Sequence, residues 1–110
     1  MFYELYDPQL SEQLTPRNAK DTASSEGKTY ELKVIQEFFT AGKVLQICLP
    51  SNFIGGITAY IVVGKNGDQE RVVVLPEGSA TQCILKETKV RSYPTPPSSF
   101  VVKASIRVTE

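Results

Sequence analysis

The 110-residue chain contains no histidine. That removes the usual general base near neutral pH and the commonest zinc ligand. Cysteine is scarce as well. Cys48 and Cys83 stand alone, and without histidine they fall short of the four ligands that a structural zinc site needs. There is no Gly-x-Gly-x-x-Gly, no Walker-type loop and no nucleophile elbow. No apolar run approaches the roughly 20 residues that span a bilayer. The segment Met1-Phe2-Tyr3-Glu4-Leu5-Tyr6-Asp7 lacks a basic stretch followed by an apolar one. Net charge is missing too. Twelve Lys and Arg offset twelve Asp and Glu, so no overall field holds the chain to a polyanion. These absences imply a non-enzymatic protein without metal or cofactor and without a membrane segment. Its expected place is intracellular and cytoplasmic, with reduced thiols, and a Cys48–Cys83 bridge requires their strands to be neighbours.

What is present is β-branched. From residue 29 onward the chain reads as successive strands: Thr29 to Thr40, Lys43 to Leu49, Ile57 to Gly64, Gln69 to Leu75, Thr81 to Arg91 and Ser99 to Thr109. In the last of these, Phe100, Val102, Ala104, Ile106 and Val108 alternate with Lys103, Ser105 and Arg107, the pattern of a half-buried antiparallel strand. Tyr30, Leu32 and Val34 alternate with Glu31 and Lys33, but the apolar phase slips at Val34-Ile35 and again at Phe38-Phe39. Such slips suggest a β-bulge or a bent first strand. Residues 11–28 are polar, carry Pro16 and Gly27, and read as a mobile loop or arm. The expected fold is therefore a single all-β domain over 1–110, a small antiparallel barrel or sandwich of about six strands. An OB-like barrel is favoured and an Ig-like sandwich is the alternative.

The segment from Ala59 to Leu75 carries two β-branched runs around Asn66-Gly67, a pair suited to a tight hairpin. A two-residue loop sets Val63 opposite Glu70, Ile61 opposite Val72 and Ala59 opposite Val74 on one face. On the other face it sets Val62 opposite Arg71, Tyr60 opposite Val73 and Thr58 opposite Leu75. Both faces are substantially apolar, so another layer of the same chain, a second subunit or a ligand must cover the second one. Tyr60, Val62 and Val73 are the candidate interface residues, and a homodimer is expected.

Aromatic and basic side chains are interleaved across the chain. Residues 29–110 carry nine basic against seven acidic groups. Flat rings stack on unpaired bases while cations follow phosphates, so this mixture suits single-stranded nucleic acid. The candidate contacts are Arg17, Lys20, Lys28, Tyr30, Phe39, Lys43, Tyr60 and Arg71. At Gly27-Lys28-Thr29-Tyr30 the chain resembles the start of the small single-stranded-DNA-binding proteins of filamentous phages. That resemblance implies a dimeric OB-like barrel. It covers four residues and the all-β order, and the long hairpin and the proline-rich Tyr93 to Ser99 depart from it. The functional expectation is single-stranded nucleic-acid binding; the alternative is a β-sandwich structural or protein-interaction module, for example a viral assembly subunit or an inhibitor.

Overall fold

Residues 29–40, expected as a bent first strand, lie in a helix. The computed structural model describes residues 2–4, 8–75, 78–88 and 91–109, with side chains from residue 12 onward. In chain order its elements are β1 (Phe2–Glu4), α1 (Pro8–Asp21), α2 (Ser25–Thr40), a 3-10 turn (Ala41–Lys43), α3 (Val44–Cys48), β2 (Gly55–Val63), β3 (Gln69–Leu75), α4 (Ser79–Glu87) and β4 (Phe100–Val108). The all-β barrel or sandwich is thereby overturned, and with it the fold that the phage-protein resemblance implied. The chain is mixed α/β. Antiparallel β3, β2 and β4 form an open sheet, and short β1 adds in parallel beside β3.

The phase slips have a simple origin. The buried residues of α2 are Gly27, Val34, Phe38 and Phe39, and Tyr30 and Ile35 pack partly against the same core. Steps of three and four keep residues on one helix face, whereas a strand needs steps of two. Leu32, which a strand would have turned inward with Tyr30 and Val34, is 65% exposed. Ser24 starts this helix by accepting the Gly27 N–H at its side-chain oxygen (3.0 Å). Gly42 (φ 69°) and Lys43 (φ 55°) then adopt left-handed backbone, which separates α2 from α3.

Residues 11–28, read as a loop or arm, lie in α1, the short link after it and the first turn of α2. Helix α1 has little apolar periodicity and contains Pro16. Only Leu14 is buried along it between residues 12 and 21, at 3% exposure. Leu14 joins Tyr60, Val62, Val73 and Val101 in a small cluster on one face of the sheet. The opposite sheet face presents Ile57, Ala59, Ile61, Val63, Val72, Val74, Val102 and Ala104 to α2, α3 and α4. Both faces of the hairpin are therefore covered by this chain's own helices.

The hairpin register matches expectation from Thr58↔Leu75 through Val62↔Arg71. It departs at the tip, where Val63 pairs with Gln69 and not Glu70. Gly64 N–H donates to the Asp68 carbonyl (2.8 Å) and Gly67 N–H to the Gly64 carbonyl (2.8 Å), closing a three-residue loop. Gly67 takes the positive φ (87°) while Asn66 does not, so the turn is not the expected two-residue type. Glu70 is the extra residue that restores the register.

The expected strands Lys43 to Leu49 and Thr81 to Arg91 are overturned as well: Val44–Cys48 form helix α3 and the chain through Glu87 belongs to helix α4, while residues 89 and 90 lie outside the described residues. Their cysteines meet: Cys48 and Cys83 form a disulfide with Cα atoms 5.4 Å apart. The thiols are thus bridged between helices and not reduced. Beside α4, buried Gln69 accepts the Tyr93 hydroxyl at 2.6 Å and donates to the Thr88 carbonyl at 2.9 Å. This polar chain ties the start of β3 to the end of α4 and to the proline-rich segment. No helix among the described residues is long and apolar enough to cross a membrane.

Candidate interaction edge

The residues expected to contact nucleic acid are spread over the fold. Arg17 and Lys20 are exposed on α1, Lys28 is exposed on α2 and Lys43 sits at the turn before α3. Phe39 (5% exposed) belongs to the core of the α2 side, and Tyr60 (6%) lies under α1 with its hydroxyl 3.2 Å from that of Thr15. Neither ring offers a free face for stacking. Tyr30 is half-buried, edge-on to Phe100 at 4.8 Å, and its hydroxyl donates to the Pro94 carbonyl at 2.6 Å. Burial pushes its phenol up to about 12. Arg17 donates to Ser99 Oγ, and Arg71 is half-buried on β3 opposite Val62. Val62 and Val73, expected at an interface, are covered by Leu14.

A different feature stands out at the sheet margin. Among the described residues β4 pairs only with β2 and ends the sheet. Along such a strand every second residue directs its N–H and C=O away from the neighbour. On β4 these are Val101, Lys103, Ser105 and Arg107. The first part of this outer row is closed by side chains. Asp21 Oδ2 accepts the Val101 N–H (2.8 Å), Asn18 Nδ2 donates to the Val101 carbonyl (2.9 Å), and Glu31 Oε2 accepts the Lys103 N–H (3.1 Å). Asn18 also donates to Glu31 Oε2 at 2.7 Å, so the three side chains form one brace. Leu14, Asn18 and Asp21 share one face of α1 by their spacing of four and three.

Magnitudes show what holds α1 down. Burying one leucine contributes about 1.5–3 kcal/mol. A hydrogen bond involving a charged group contributes about 1.5–3 kcal/mol and a neutral one about 0.5–1.5. The brace therefore matters as much as the leucine.

Beyond Lys103 N–H the row is open. The Lys103 carbonyl and both backbone groups of Ser105 and Arg107 have no partner among the described residues. Lys103, Ser105 and Arg107 are exposed, with Lys103 Nζ 6.0 Å from the Tyr60 ring centre and Ser105 Oγ 3.1 Å from Thr58 Oγ1. On the other face Ala104 is buried while Ile106 and Val108 are half-exposed. Exposed Ile54 (59%) immediately precedes Gly55, the partner of Val108. The sequence showed Lys103, Ser105 and Arg107 as the polar face of a strand, but nothing in it marks that strand as the last in the sheet.

No protein-family model, curated protein or solved structure matches this chain.

Proposed function

We propose that this domain is a non-catalytic protein-interaction module that takes an extended segment of another protein onto the open half of β4. The observation that carries this reading is the contrast within one strand: both backbone groups of Val101 and the Lys103 N–H are closed by dedicated side chains, whereas those from the Lys103 carbonyl to Arg107 have no partner among the described residues. Main-chain hydrogen bonds to an exposed sheet edge give strand addition its affinity, and alternate side chains give it selectivity. The burial of Phe39 and Tyr60 takes away two stacking platforms of the single-stranded nucleic-acid reading, which leaves strand addition the better supported. The test sets the two against each other. Short strand-forming peptides are expected to slow amide exchange at Ser105 and Arg107, while single-stranded oligonucleotides at two salt concentrations leave these amides unchanged. Salt-sensitive oligonucleotide binding with no peptide effect would replace this reading by the nucleic-acid one.

A further inference from the structure

The open edge also has a chemical signature. Lys103 and Arg107 share one face of β4 with Ser105 between them, and all three are exposed. The opposite face offers half-exposed Ile106 and Val108. Resting on the strand-addition reading above, we infer that the preferred partner is an extended segment alternating acidic and apolar residues. Its carboxylates would lie across from Lys103 and Arg107 and its apolar side chains beside Ile106 and Val108.

A second copy of this chain fits poorly. A two-fold pairing along the open stretch centres on Ser105 and sets Lys103 of one copy against Arg107 of the other. Like charges directly opposite destabilise a strand pair, and opposite charges stabilise it. Registers displaced toward the start of β4 meet both backbone groups of Val101 and the Lys103 N–H, already bonded to Asn18, Asp21 and Glu31. The same charges that discourage self-association therefore select an acidic partner. Glu31, whose carboxylate borders Lys103, is engaged by Asn18 Nδ2 and by the Lys103 N–H. Arg107 Nη1 lies close to Gly56, on the neighbouring strand.

The experiment uses the full chain and three capped nine-residue peptides that alternate valine with glutamate, with threonine or with lysine. Binding is followed by fluorescence anisotropy and its site by backbone amide exchange. The glutamate peptide is expected to bind at least tenfold more tightly than the threonine peptide at low salt. That margin should shrink at high salt, as expected for exposed charges. It should also protect the Ser105 and Arg107 amides. Lys103→Glu combined with Arg107→Glu, both at exposed positions, should shift the preference to the lysine peptide. Equal binding of glutamate and threonine peptides, with the same amides protected, would overturn the acidic partner while leaving strand addition standing. Failure of every peptide to protect Ser105 and Arg107 would overturn strand addition itself.

Discussion

Asp21, the last residue of α1, accepts the backbone N–H of Val101 at the start of β4 with a separation of 2.8 Å. Eighty positions apart in sequence, the two fix where the sheet margin ceases to be available. With Asn18 on the Val101 carbonyl and Glu31 on the Lys103 N–H, a helix pair supplies the hydrogen bonds that a fifth strand would make. A bare edge is an aggregation hazard, and side-chain capping is one way to blunt it. Here the capping stops partway along the strand.

Leu14 tests whether α1 belongs to the folded core. Leu14→Ala should cost about 2–5 kcal/mol, the usual range for emptying a buried leucine site, as measured by urea denaturation. Val73→Asp, beneath the same helix, should unfold the protein, because a charge would be buried without a partner. A variant at Val73 that keeps its melting temperature would mean that this sheet face is solvated.

Tyr30 gives a pH prediction with a definite sign. Its phenol is raised from 10.0 to about 12 in the fold by burial, and the hydroxyl donates to the Pro94 carbonyl. The neutral form is thus favoured when folded. The corresponding stability is fully present below pH 10 and is lost as pH rises from about 10 towards 12. Comparing Tyr30→Phe with the parent chain isolates this contribution from other groups that titrate there. The parent should lose stability more steeply across that window, and parallel curves would contradict the assignment.

The Cys48–Cys83 bridge closes a segment with a sequence separation of 35 and ties α3 to α4. Loops of this size commonly give about 2–4 kcal/mol of stabilisation. Reduction, or the paired substitutions Cys48→Ser and Cys83→Ser, should lower the denaturant midpoint accordingly. An unchanged midpoint would show that packing of α3 against α4 suffices without the bond.

The sequence carried the hairpin well, because β3 pairs along a β-branched run whose alternation leaves one register for both apolar faces. It carried β4 for the same reason, Phe100 through Val108 alternating cleanly with Lys103, Ser105 and Arg107. The helices were obscured by composition. Tyr30, Val34, Ile35, Phe38 and Phe39 have strong strand preferences one by one, and only their spacing by three and four betrays a helix. Helix α1 was hidden more deeply. Beside Leu14 its inward stripe is Asn18 and Asp21, which bond to backbone, and Pro16 reads as a breaker. The candidate edge was legible as chemistry but not as position. Which strand lies outermost is set by the order β1-β3-β2-β4, a property of the assembled sheet.

Amide hydrogen exchange along β4 of the free protein tests the half-capped edge most directly. The amides of Val101 and Lys103 should exchange slowly, and those of Ser105 and Arg107 much faster, although all four belong to one strand. In Asp21→Ala the Val101 amide alone should join the fast group, since Glu31 still holds Lys103. Uniform protection from Val101 to Arg107 would contradict the account, because it would mean that something already pairs with the whole edge.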